Sequence, residues 1–323
     1  MHAPRSVEQI AASALPHPSL EQLTVWPVGC RVGESPVWHQ GEEALYWVDV
    51  RAPQLLRLHP QTGELLRWQL PEVVGALALC GESRAWLALK HRLVQIDLLT
   101  GELQVVANVE LDIAGNRLND GKVSPSGRWF VFGSMDDGVD KQQTGALYRA
   151  GVKGGFEQIH ANLGVANGIA WNCDATAIYF SDSLRGQLFV APWDEATGMM
   201  GLPRILAMLD EQAGRPDGGM VDSQDIYWSA GVSAGVLNRI DPHGKVIDRI
   251  GMPCMAPTMC AFGGRNAESI FVTSLVRPQW KSPGAMEGAL FQFRSPVPGV
   301  WPPFLDVAMD QHFFRFIPPG MII

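Results

Sequence analysis

Six apolar runs recur along the chain: Ala44–Val50, Ala85–Lys90, Arg128–Met135, Ala177–Ser183, Asp225–Gly231 and Ser269–Ser274. Their first residues lie 41, 43, 49, 48 and 44 positions apart. Each run is followed by a second one, as in LLRLHPQTGEL (Leu55–Leu65), LVQIDLLTGEL (Leu93–Leu103) and VLNRIDPHGKV (Val236–Val246). Thr-Gly and His-Gly tips supply the positive φ of tight turns. The alternation of Leu93, Gln95 and Asp97 with Val94, Ile96 and Leu98 has the period of a strand. A multi-strand unit repeated every 40–50 residues predicts an all-β chain folded as a six-bladed β-propeller. A sandwich would give no reason for the same two-strand phrase to recur six times. In a propeller, blades are scaffold and chemistry gathers at one end of the central channel.

At 323 residues, six such units consume nearly the whole chain. Residues 1–22 read as an N-terminal arm, 23–302 as the propeller and 303–323 as an apolar tail. That tail could complete a blade, cap the propeller or, through Phe313–Ile323, join two subunits, so monomer and homodimer both stay open. The net charge is −8 and no Lys/Arg run exceeds two residues, which argues against nucleic acid or an anionic membrane as a partner. Five cysteines without a C-x-x-C give no sign of a disulfide framework or a thiolate zinc site. No apolar run reaches 18 residues, and Glu8 and Gln9 interrupt any signal-peptide core. A cytoplasmic location is expected.

The eight histidines are scattered, with no H-E-x-x-H. Gly231–Gly235 matches G-x-S-x-G, but it separates two strands. A nucleophile elbow needs a strand followed by a helix, so Ser233 is not expected to be a nucleophile. The informative polar residues stand ahead of the apolar runs, in GESPVW (33–38), NRLNDGK (116–122), ANGIAW (166–171) and RPDGGM (215–220). If the apolar runs line the channel, Glu34, Asn119, Asn167 and Asp217 point into one end of it. Two carboxylates and two amides are oxygen donors suited to a hard divalent cation. Asn-Gly and Asp-Gly are ordinary turn formers when taken singly. Their equivalent placement in four units favours a shared site. Asp49 and Asp120 read as structural carboxylates that bond backbone within a blade. Asp136 and Asp137 fit either solvated loop or channel mouth.

Taken in order, GESPVW…LYWVD, NRLNDGKVSPSGRW, ANGIAW…IYFSDS, RPDG…VD and PTMCAFGG…IFVTS resemble the senescence marker protein/gluconolactonase family, which includes regucalcin and sugar lactonases. The resemblance spans roughly residues 28–300. It implies a six-bladed propeller that hydrolyses lactones with one divalent metal in the channel. It implies Glu34, Asn167 and Asp217 as metal ligands, Asp217 also as general base, and Arg117 and Asn119 as substrate-binding residues. Ca²⁺ is the first expectation for the metal, with Zn²⁺, Mg²⁺, Mn²⁺ and Fe²⁺ admitted by the same donors. The expected reaction is hydrolysis of an aldonolactone to its aldonic acid. The alternatives are a calcium-dependent phosphotriesterase or arylesterase on the same fold, and a non-enzymatic metal-binding propeller.

Overall fold

The computed structural model describes residues 5–6, 22–151 and 155–307. These form six antiparallel sheets in a ring and contain no α-helix. The first strand of each sheet lies innermost: Gly33–His39, Val74–Cys80, Asn116–Val123, Ala166–Trp171, Pro216–Val221 and Pro257–Gly263, here numbered as blades 1 to 6. Each inner strand touches the inner strands of the blades on either side, so the six close around a channel. The ring is closed by chain ends from opposite termini. Thr24–Trp26 pairs with Leu290–Arg294 in blade 6, setting Val25 opposite Phe291.

The apolar runs are the second strands of the blades, not the channel-lining ones. Their continuous hydrophobicity comes from burial on both faces between blades. Ala44–Asp49 is buried at every position. Tyr46 and Val48 pack toward blade 2, whereas Leu45 and Trp47 pack toward blade 6. Six apolar clusters follow, one at each interface between adjacent blades. In blades 1, 3, 4 and 5 the inner strands are the polar phrases themselves, and their Gly, Pro and Asn content makes them read as turns.

Asp49 ends the second strand of blade 1 and accepts from the backbone N–H of Arg31, Val32, Arg51 and Ala52. Asp182 does the same in blade 4 for Gly164, Val165 and Leu184. These carboxylates fix the entry to each inner strand and so the height at which its side chains meet the channel.

Beyond blade 6 the described residues, up to Val307, cross the far ends of the inner strands without adding a strand. Trp301 Nε1 donates to Gly264 O, Leu305 N to Leu79 O and Asp306 N to Gly127 O. Phe304 stands 4.7 Å from the His39 ring. Together with the channel wall, Val300–Pro303 encloses an apolar cavity of about 180 Å³. Phe313–Ile323 and most of the N-terminal arm lie outside the described residues. Among the described residues no helix is long and apolar enough to cross a membrane.

Candidate active site

All six inner strands lose register with their neighbours at equivalent points. The breaks fall between Glu34 and Val37, Val74 and Ala76, Asn119 and Gly121, Asn167 and Ala170, Pro216 and Gly219, and Pro257 and Met259. The residues after Glu34, Asn119 and Asn167 have left-handed backbone: Ser35 at φ 53°, Asp120 at 42° and Gly168 at 65°. A bulge of this kind kinks a strand and re-aims its side chain. Glu34, Asn119, Asn167 and Asp217 therefore sit at bulges on the channel-lining strands, not on loops ahead of them. With Arg117 they line one cavity of about 940 Å³ at the N-terminal ends of the inner strands.

The remaining two blades use the equivalent place for packing. Thr258 Oγ1 donates to Gly33 O (2.5 Å). A Cβ on Gly75 would meet Leu118 O at 2.3 Å, so only glycine lets blade 2 pass this close to blade 3.

Hydrogen bonds knit three of these residues, Arg117, Asn119 and Asn167, together. Asn119 Nδ2 donates to Asn167 Oδ1 (2.8 Å) and to Ala166 O (2.9 Å). Asn167 Nδ2 donates to Ser183 Oγ (2.7 Å), which fixes the orientation of the amide. Arg117 Nη1 donates to Asn119 Oδ1 (2.7 Å) and Leu118 O (3.0 Å), and Nε to Asp137 Oδ1 (3.0 Å). Arg51 shares Asp137 through Nη1 and Nη2 (2.9 and 2.5 Å). Both amide hydrogens of Asn119 are thus committed to protein. Toward a substrate it offers only an acceptor lone pair, whereas Arg117 keeps Nη2 free of any protein acceptor among the described residues.

The two carboxylates stand apart from this network. Neither Glu34 nor Asp217 forms an ion pair among the described residues. Glu34 is half-buried and Asp217 is buried. Desolvation and the negative charges of Asp217 and Asp120 push Glu34 well above the usual carboxylate range. Desolvation and the Asp120 charge push Asp217 up to about 7. Arg117, and for Asp217 also Arg215 and Arg277, offset part of this, but neither carboxylate has an ion-pair partner among the described residues, and a bound divalent ion would neutralise both. No cluster of three or more His, Cys, Asp or Glu suited to a metal gathers among the described residues. A cation here would be held by the carboxylates of Glu34 and Asp217 and the amide oxygen of Asn167, with other positions left to water and substrate. That donor set fits a hard divalent ion.

Asp120 serves the site from behind. Its carboxylate accepts from Gly121 N (2.6 Å) and from Ile169 N (3.2 Å), so it reaches into blade 4 instead of staying within its own blade. It clamps the backbone just after Asn167. Asp136 holds its own loop by accepting from Gly138 N and Gln142 N. Ser233 Oγ accepts from Arg215 N in a turn between two strands, with no helix behind it.

A family model described as the SMP-30/Gluconolactonase/LRE-like region matches residues 32–276. The chain belongs to this family. Within it, the chain is 33% identical over 273 residues to 6-deoxy-6-sulfogluconolactonase of Pseudomonas putida, covering 83% of this chain and 92% of that one. It is 31% identical over 264 residues to human regucalcin, covering 79% and 87%. The solved structure of a calcium-binding protein, regucalcin, from Agrobacterium tumefaciens superposes with a TM-score of 0.81 at 27% identity, covering 86% and 95%.

This member of the SMP-30/gluconolactonase family carries cavity residues that sequence reasoning did not single out. Arg51 and Arg277 follow the second strands of blades 1 and 6, and Ser183 closes the IYFSDS phrase. Arg215 opens the RPDG phrase without having been given a role, and Asp137, open between solvated loop and channel mouth in the sequence, lines the cavity.

Proposed function

We propose that this protein is a lactonase that hydrolyses a sugar lactone to the open-chain acid in the 940 Å³ cavity. The observation that carries the reading is the convergence of Glu34, Asn167, Asp217 and Arg117 on that cavity, in a chain of this family. The 33% identity to a protein named 6-deoxy-6-sulfogluconolactonase supports the substrate class. Glu34, Asn167 and Asp217 would hold one divalent cation. Ca²⁺ is the first candidate, because the Agrobacterium relative is described as calcium-binding. When bound, the cation supplies Lewis-acid polarisation of the lactone carbonyl.

The chain's own residues do the rest. Arg117 Nη2, held in place by the bonds its other nitrogens make, donates to the carbonyl oxygen as charge develops there. The acceptor lone pair of Asn119 receives a ring hydroxyl. Asp217 takes a proton from the attacking water while the water oxygen bonds to the carbonyl carbon. The bond from that carbon to the ring oxygen then breaks, and the proton on Asp217 passes to the departing ring oxygen. A carboxylate is a modest base when it also faces a cation, which suits an activated ester such as a lactone.

The test is acid release near neutral pH from γ- and δ-aldonolactones, an aryl ester and a phosphotriester. The protein is first stripped with chelator, then restored with single divalent metals. Metal-restored turnover of a lactone supports the reading. Turnover confined to the aryl ester or phosphotriester assigns the cavity to that chemistry, and turnover of none leaves a binding propeller.

A further inference from the structure

The cavity is cationic in an acidic protein. Arg31, Arg51, Arg117, Lys141, Arg215 and Arg277 line it, against three carboxylates, Glu34, Asp137 and Asp217, while the chain as a whole carries −8. The six are not alike. Arg51 and Arg117 share Asp137. Arg215 and Arg277, contributed by the entries to blade 5 and the far side of blade 6, pair with no carboxylate among the described residues. If Glu34 and Asp217 face a divalent cation, the one remaining lining carboxylate is Asp137, already committed to Arg51 and Arg117.

Arg277 is also not a free surface arginine. It is half-buried, its Nη2 donates to Val232 O (2.7 Å), and its guanidinium lies over the Trp280 ring at 5.9 Å from the centroid. Glu287, whose charge it feels, is engaged with Met255 N instead. Burial and the neighbouring charge of Arg215 weigh against its protonated form, while the charges of Asp217 and Glu287 favour it. Once Asp217 faces a divalent cation, two arginines lining the same cavity, one of them half-buried and fixed by a backbone carbonyl, are left to receive an anion.

We infer that the substrate is a sugar lactone bearing an anionic substituent outside the ring, whose charge is received by Arg215 and Arg277 while the ring carbonyl faces Asp217. This rests on the lactonase reading above and narrows it from neutral aldonolactones to charged ones. A carboxylate, a sulfonate and a phosphate monoester share the required chemistry. The roomy cavity accommodates a ring with such an arm.

The experiment measures kcat/KM for D-glucono-1,5-lactone beside its 6-phospho and 6-deoxy-6-sulfo counterparts and a glucaric acid lactone, using full-length protein with restored metal. At least one anionic lactone is expected to exceed the neutral one by tenfold or more, and the ranking identifies the anion. That ratio falls toward one in Arg215→Gln and Arg277→Gln, and it shrinks as ionic strength rises. Arg277→Lys keeps part of it. Because the Arg215 side chain is exposed and makes no hydrogen bond or ion pair among the described residues, that variant reads the effect even if the Arg277 variant folds poorly.

Equal kcat/KM for neutral and charged lactones, or a ratio unmoved by both Gln variants, overturns the anion site and leaves the lactonase reading standing. If no lactone is hydrolysed, calorimetry with 1,5-anhydroglucitol and its 6-phosphate separates the two claims. Tighter binding of the phosphate, lost in Arg215→Gln, supports the anion site without lactonase activity. Equal or absent binding overturns it.

Discussion

Asn119 Nδ2 lies 2.8 Å from Asn167 Oδ1 and joins the inner strands of blades 3 and 4 at the floor of the cavity. One lone pair of that oxygen is occupied by the bond, and the other is left for a cation. Asn119 thus belongs to the support of the site as much as to its surface. Asn119→Ala should weaken divalent-metal binding by roughly tenfold, the size typical of lost outer-shell support. The decisive comparison is metal affinity by calorimetry beside the circular dichroism of the same sample. Unchanged affinity in a folded variant would remove Asn119 from the metal's support.

The Asp217 carboxyl should cost stability when no metal is present. Its folded-state pKa, about 7, stands above the ordinary 3.8. The proton is therefore held more tightly in the folded chain, and this stabilising contribution is fully present below pH 3.8 and lost as pH rises to about 7. Metal-free Asp217→Asn, which cannot ionise, should exceed the metal-free wild type in stability at pH 8 by roughly 2–4 kcal/mol. The advantage should fade as pH falls from 7 toward 4, while activity is lost at every pH. Thermal melts at several pH values after chelation check this, and equal melting at pH 8 would count against it.

The same linkage governs cation binding. A divalent ion must displace a proton held by Asp217 below about pH 7, and Glu34 is shifted in the same direction. Affinity should hold steady above pH 8 and weaken by up to about tenfold for each unit below 7 per proton displaced. Isothermal titration in buffers of different ionisation enthalpy would detect the released protons. A flat affinity between pH 8 and 5.5 would place the cation elsewhere.

Asp137 holds Arg51 and Arg117 at once. Asp137→Ala frees Arg117 Nε, so Nη2 no longer meets the substrate in a fixed direction. KM on the best lactone should rise by about three- to tenfold with metal affinity unchanged, since neither carboxylate ligand loses a partner. A fall in metal affinity without a change in KM would reverse this assignment.

Gly75→Ala tests the packing that sets the blades' spacing. The added Cβ would meet Leu118 O at 2.3 Å and Asn119 Cα at 2.8 Å, both backbone atoms that cannot swing aside. The variant should lose about 1–3 kcal/mol in denaturant unfolding, with a displaced Asn119 lowering activity as well. Wild-type stability would mean that blade 2 can shift at no cost.

The blade count was legible because the second strands are buried on both faces, which leaves runs such as ALYWVD without polar interruption. The inner strands were not. Bulges at Glu34, Asn119 and Asn167 require left-handed residues, and Ser35-Pro36, Asp120-Gly121 and Gly168 look in sequence like the turns that use the same backbone. Those same phrases carry the five expected site residues, which the fold brings to one cavity. The pairing of Arg51 with Asp137 was not legible, because it spans 86 positions. Nor were the unpaired arginines, since a missing partner has no local signature.

The measurement that bears most directly on the central claim is a titration of chelated protein with one divalent metal, following metal binding and lactone hydrolysis in the same samples. The account predicts that activity rises linearly and levels off at one equivalent per chain, with Asp217→Asn and Glu34→Gln showing neither binding nor turnover. Full lactone hydrolysis by the stripped protein, or wild-type turnover in either variant, would contradict it.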